Sequence, residues 1–179
     1  MKPTRIMSEA QASPEGSGTT AKSAERVVVI ERIFDAPRSL LFKAWTEPRR
    51  LARWWGPKGF TNPVCEIDAR PGGTLRIVMR APDGAEYPMK GVFREVIEPE
   101  QLVFTNIAID NAGNSLIEGL TTVTFAEHAA GKTKLILHTS AMGMVAMAAA
   151  MIEGMEAGWT QSLDRLAEYL AKGEFTEAS

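Results

Sequence analysis

The sequence predicts an α+β domain in which a curved antiparallel sheet wraps around a long carboxy-terminal helix, with two short helices after the first strand. Three observations predict it. β-Branched and alternating stretches recur from Arg26 to Ser140, joined by short turns. Two proline-bearing helix-start signals, Asp35-Ala36-Pro37 and Thr46-Glu47-Pro48, interrupt the chain after the first stretch. From about Met144 to Ala171 the apolar residues change to steps of three and four.

"RVVVIERIF" (Arg26 to Phe34) reads as the first strand. Asp35 supplies an N-cap oxygen and Pro37 fits the first turn of a helix, where its missing N–H costs nothing. That helix carries Leu40, Leu41, Ala44 and Trp45, and a second follows at once with Leu51, Trp54 and Trp55 before Gly56-Pro57 stops it. Val64 to Ile67 is a short strand. "TLRIVMR" alternates, with Leu75, Ile77 and Met79 on one face and Arg76 and Arg80 on the other. Pro82-Asp83-Gly84 turns the chain into "YPMKGVFREVI", and Glu98 to Gln101 turns it into "LVFTNIAI". "LTTVTFAEH" and "KTKLILHTS" form a hairpin across Ala129-Ala130-Gly131. Such short links require antiparallel pairing. The closing stripe of Ala148, Ile152, Met155, Trp159, Leu163, Leu166 and Leu170 predicts one amphipathic helix laid on the sheet.

Of the 179 residues 45% are hydrophobic and 23% charged, the balance of a globular protein with one substantial core. A net charge of −2 without a basic stripe gives no support to nucleic-acid capture. No apolar run approaches the ~20 residues of a membrane helix, and the amino terminus has no secretory pattern. The single cysteine, Cys65, excludes an intrachain disulfide and points to a reducing, cytoplasmic setting. Residues 1–24 are rich in Ser, Thr, Ala, Gly and Pro and are expected to form a flexible tail; the domain is expected over 25–173, with a frayed end over 174–179.

Four segments, "IERIFDAPRSLLFKAWTEPRRLARWWGP", "GVFREVIEPEQLVFT", "GKTKLILHTS" and "GWTQSLDRLAEYL", together resemble the SRPBCC (START-like, Bet v 1-like) superfamily. Within it the chain is similar to the activator of Hsp90 ATPase homologue 1-like branch. The segments fall in the family's order from about residue 26 to 171. The resemblance implies a helix-grip fold with an apolar cavity between sheet and long helix, and hence a hydrophobic small-molecule ligand. It also implies two alternatives: a protein-interaction module of the Hsp90 co-chaperone kind, and a cyclase- or hydrolase-type enzyme using the same cavity. The segment "AMGMVAMAAAMIEGMEAG" departs from the family pattern in its methionine and alanine content.

The residues give the cavity their own support. Gly154 and Gly158 sit one turn apart in the predicted helix, each costing up to ~1 kcal/mol against alanine. A close backbone contact or space for a ligand would offset this. Met151 and Met155 suit an adaptable wall. Trp159 lies on the inward stripe; Trp54 is expected in the core and Trp55 at the rim. The expected ligand-binding set is Trp55, Leu75, Ile77, Phe93, Glu95, Phe104, Leu137, Met151, Met155 and Trp159. Glu95 is the one carboxylate considered for orienting a ligand or acting as a base, on the premise that it shares a face with Gly91 and Phe93. His128 and His138 have no metal-ligand spacing, and no nucleophile, phosphate-loop or dinucleotide motif is present, so no metal, cofactor or catalytic group is expected. A homodimer is one assembly consistent with the sequence.

Overall fold

The computed structural model describes residues 25–173, and the two expected tails lie outside the described residues. The elements run β1 (Glu25–Phe34), α1 (Arg38–Thr46), α2 (Pro48–Trp54), β2 (Thr61–Ile67), β3 (Thr74–Arg80), β4 (Glu86–Ile97), β5 (Gln101–Ile109), β6 (Ser115–His128), β7 (Lys132–Gly143), α3 (Ala148–Glu153) and α4 (Met155–Ala171). The sheet has seven strands in the order β1-β7-β6-β5-β4-β3-β2, all antiparallel. β2 to β7 form the expected meander, and β1 pairs with β7 at the far edge. The pair α1–α2 therefore carries the chain from one edge of the sheet to the other. Both helices bury one side, through Leu41, Phe42, Ala44 and Trp45 of α1 and Leu51 and Trp54 of α2. These join Phe93, Phe104, Val123, Phe125, Leu135 and Leu137 of the sheet and Leu163 and Leu166 of α4 in one core.

Local chemistry departs from the expected pattern at four places. Helix α1 starts after Pro37, not after Asp35, and no side chain caps it. A residue preceding proline avoids helical dihedrals, so the helix does not begin at Ala36; Pro37 is itself extended, at φ −67° and ψ 148°, and its carbonyl takes the first bonds, from Leu40 and Leu41 at 3.0 and 3.2 Å. The Thr46 hydroxyl does not open α2 but donates back to the Phe42 carbonyl at 2.8 Å. β7 continues to Gly143, so the helical region starts only at Ala148.

The fourth departure is the division of the single expected helix into α3 and α4 at Gly154. Arg26 of β1 donates to the Glu153 carbonyl at 2.8 Å and to the Ile152 carbonyl at 3.4 Å, and it pairs with Glu156 at 2.7 Å. A guanidinium drawing on two successive carbonyls competes with the helical ladder, and glycine is the residue that resists a break least.

Arg165 fixes α4 against the rest of the fold. Its guanidinium donates to the carbonyls of Trp55, Gly56 and Pro57 at 2.9, 3.0 and 3.1 Å, and to that of Arg53 at 3.3 Å. These include the orphan carbonyls that any helix end leaves behind, here the end of α2. Asn62 completes the cap by donating to the Ala52 and Trp55 carbonyls at 3.0 and 2.8 Å. The chain can turn there because Gly56 takes φ +94°, a conformation that side chains with a Cβ rarely adopt. Burial lowers the Arg165 pKa, while nearby Glu168 raises it.

Replacing Arg165 with alanine is expected to cost about 1.5–3 kcal/mol, the range for hydrogen bonds from a charged donor. Urea denaturation should show a lower midpoint at unchanged slope. Arg165→Lys should recover only part of the loss, since an ammonium cannot span several carbonyls.

Candidate functional site

Burial along α4 is uneven. Leu163 and Leu166 are fully enclosed, whereas Met155, Gly158 and Trp159 are only half-buried. The amino-terminal half of α4 thus stands off from the sheet and leaves a groove of about 290 Å³. Its walls come from the α2–β2 turn (Trp55, Gly56, Pro57, Phe60), from β3, β4 and β5 (Met79, Tyr87, Met89, Asn106), and from the helical region (Met151, Gly154, Met155, Gly158, Trp159, Ser162). Among the described residues no charged side chain lines it.

Of the residues expected from sequence, Trp55, Met151, Met155 and Trp159 meet at this groove. The four tryptophans form one cluster. Trp45 stacks on Trp159 at 6.1 Å between ring centres, and Trp55 meets Trp159 edge-on at 5.2 Å. Trp54 is fully buried, with its indole N–H on the Ala44 carbonyl at 3.0 Å. Trp54 is therefore a core anchor, and Trp55 is a core side chain with one side on the groove.

Leu75, Ile77, Phe93, Phe104 and Leu137 were expected at a cavity wall and stand elsewhere. All are less than 5% exposed and belong to the closed core. The gap that Leu75, Ile77, Phe93 and Phe104 share with Trp45 and Trp55 amounts to about 10 Å³. The side chains of α1, α2 and α4 fill the space that a deep cavity would occupy.

Glu95 is a correction of a different kind. The β4–β5 register shifts between Phe93 and Glu95, so Phe93 faces Phe104 and Glu95 faces Val103. This bulge inserts one residue, breaks the alternation and turns Glu95 outward. The carboxylate is exposed and accepts a hydrogen bond from Gln101 at 2.8 Å, while Val96 takes the inward place.

Sequence reasoning missed Phe60, Met79, Tyr87, Met89, Asn106 and Ser162 as groove residues. A signal existed for two of them: Met79 continues the inward alternation of Leu75 and Ile77, and Asn106 continues that of Leu102 and Phe104. Among the described residues no group of His, Cys, Asp and Glu could hold a metal ion. No helix of the described residues is long and apolar enough to cross a membrane.

The seven-stranded sheet closed over a long carboxy-terminal helix defines a helix-grip domain of the SRPBCC superfamily. The family model described as "Activator of Hsp90 ATPase homolog 1-like protein" matches residues 35–171, and the chain belongs to that family. Among solved structures it is similar to the AHSA1 protein from Silicibacter pomeroyi, at 26% identity and a TM-score of 0.70 over 83% of this chain and 100% of that one. A protein from Nitrosomonas europaea aligns at 25% identity and a TM-score of 0.67 over 83% of this chain and 96% of that one. One from Mycobacterium smegmatis aligns at 26% and 0.67 over 80% of this chain and 90% of that one. No curated protein matches the chain. Family and fold support a ligand-binding or interaction module in general terms.

Cys65, on β2 opposite Ile77, packs against the core, and burial pushes its thiol from the ordinary 9.0 up to about 11. The thiolate is the reactive form. Alkylation of native protein by iodoacetamide should therefore rise with a midpoint near pH 11, against about pH 9 for the protein in urea. The same shift works against stability in alkali: between those values the unfolded thiol ionises and the folded one does not, so this contribution falls as pH rises through the window.

Proposed function

We propose that the groove beside α4 binds a hydrophobic small molecule. The observation that carries the reading is Gly158. A Cβ added there would meet no atom within 4 Å, so close packing does not explain a glycine inside α4. An open space bounded by Trp55, Phe60, Met79, Met89, Met155 and Trp159 does. Its volume lies at the small end of the ~300–1,000 Å³ usual for drug-sized ligands, which suits one or two fused rings. The methionines supply walls that can re-pack around different shapes. An enzymatic reading loses its proposed base, because Glu95 lies outside and no carboxylate of the described residues lines the groove. A reducing, cytoplasmic setting remains the proposal that goes with a lone, partly buried cysteine.

An interaction module is the second reading, favoured by the edge strand β1. Its Val27, Val29 and Ile33 are 54, 57 and 56% exposed, apolar side chains interrupted only by Glu31 on the outer face of a strand that ends the sheet among the described residues. That surface could serve a homodimer or another protein without involving the groove.

The neutral fluorophore N-phenyl-1-naphthylamine is expected to bind the wild-type protein at one site and to quench tryptophan emission. Gly158→Leu should weaken binding at least tenfold while leaving the melting temperature unchanged or raised, since leucine improves helix propensity by up to ~1 kcal/mol. Unchanged binding in a folded Gly158→Leu protein would remove the groove as the site. A large fall in melting temperature would instead give the glycine a structural role.

A further inference from the structure

We propose that Asn106 selects the ligand: the groove takes a neutral, largely aromatic molecule carrying one hydrogen-bond acceptor, and the Asn106 amide N–H is the donor that meets it. The proposal rests on the reading of the groove as a small-molecule site.

Asn106 brings a side-chain amide to walls that are otherwise mainly aromatic rings, methionines and glycines. Its orientation is set from behind. The Thr121 hydroxyl donates to Asn106 Oδ1 at 2.8 Å, and Thr121 Oγ1 lies 2.8 Å from Thr139 Oγ1. Each hydroxyl has one proton. With the Thr121 proton committed to Asn106, the Thr139 proton must point to Thr121, and the chain runs Thr139 to Thr121 to Asn106. Both threonines are fully buried, so water does not compete for these bonds.

The Oδ1 atom is thereby occupied, and Nδ2 forms no hydrogen bond with another described residue. Its two N–H groups are the polar function that Asn106 has free for the groove. The facing residue on β6 is Gly119, and a Cβ there would lie 2.9 Å from Asn106 Nδ2 and 2.9 Å from the Ser140 carbonyl. The glycine leaves room for the amide in this position.

The rest of the lining sets the ligand's charge. With no lysine, arginine or histidine among the described residues that line the groove, a carboxylate would lose hydration without gaining a counter-ion. The Ser162 hydroxyl spends its proton on the Gly158 carbonyl at 2.9 Å, so it does not add a donor. One neutral acceptor, such as a ketone or amide carbonyl, on an aromatic body satisfies the Asn106 amide, while the Tyr87 hydroxyl belongs to a residue 41% exposed and can take water as its partner.

Calorimetric titration with three naphthalenes tests this: 2-acetylnaphthalene, 2-ethylnaphthalene and 2-naphthoate, which share a ring and differ in the group offered to Asn106. Wild-type protein should bind the ketone about three- to tenfold more tightly than the hydrocarbon, the span of one net hydrogen bond, and the carboxylate most weakly. Asn106→Leu should bind ketone and hydrocarbon equally while retaining the hydrocarbon, which also shows that the variant is folded. Thr121→Val, which frees Oδ1 to turn, should narrow the preference without weakening hydrocarbon binding. Equal affinity of the wild type for ketone and hydrocarbon, or a preference that survives Asn106→Leu, overturns the role of Asn106 and leaves the groove reading intact. Tightest binding of the carboxylate overturns the neutral-ligand class. Binding of none of the three by the wild type overturns the groove reading together with this proposal.

Discussion

The contact on which the arrangement of this domain depends is the guanidinium of Arg165 on the carbonyls that close α2. A sheet and an amphipathic helix attract each other through apolar area, which is non-directional and sets neither depth nor angle. The arginine adds direction. It fixes the middle of α4 to the turn that carries Trp55 and Gly56, and Gln161 reinforces the same joint by accepting the Lys58 backbone N–H at 3.0 Å. On the other flank Arg26 holds the α3–α4 junction to β1, and Arg32 pairs with Asp164 at 2.8 Å. Helix α4 is thus pinned to β1 and to the α2 end. The groove lies between α4 and the strands β3 to β5, where no ion pair among the described residues bridges the two.

Two kinds of interior result. Beneath the carboxy-terminal half of α4 the core is filled by Leu163, Leu166, Phe104, Phe125 and the α1 side chains, and the gap left between Trp45, Trp55 and the strands is roughly the size of one water. Beneath the other half the helix stands off, and Trp55 and Trp159 turn one side to open space. The tryptophan cluster marks the border. Its packing is imperfect in one respect: the Trp45 indole N–H is buried without a partner among the described residues, at a cost of about 1–3 kcal/mol. The aromatic area buried around Trp45 has to outweigh that cost, each such ring contributing several times as much as an aliphatic methyl group.

A groove held by rigid anchors on one side and by methionines on the other combines a fixed frame with an adaptable wall. Met79 and Met89 are backed by the sheet, whereas Met151 and Met155 belong to the segment around Gly154 where the helix is broken. The polar chain from Thr139 through Thr121 to Asn106 is the counterpart of that plasticity. It is short and its two threonines are fully buried, so it can hold one amide in place while the apolar contacts around it rearrange.

Much of the fold was legible in the sequence because periodicity and turn chemistry are local. The alternation of Leu75, Ile77 and Met79, the glycine-bearing hairpin at Ala129 to Gly131, and the spacing from Ile152 to Leu166 determined the element order β-α-α followed by six strands and a helical end. The positions of Trp159 and Trp55 beside the groove followed from the stripe and the turn on which they sit. What escaped the sequence depended on partners distant in the chain. The bulge that turns Glu95 outward is a mismatch between β4 and β5, and neither strand alone records it. The break at Gly154 lies where Arg26, more than a hundred residues away, takes up the carbonyls of Ile152 and Glu153. The depth of the groove is a matter of how far α1, α2 and α4 fill the sheet's interior, a volume balance that no single segment carries. The sequence by itself determined which faces would be apolar; the tertiary structure decided which of them close on each other and which remain open, because packing sums over all elements at once.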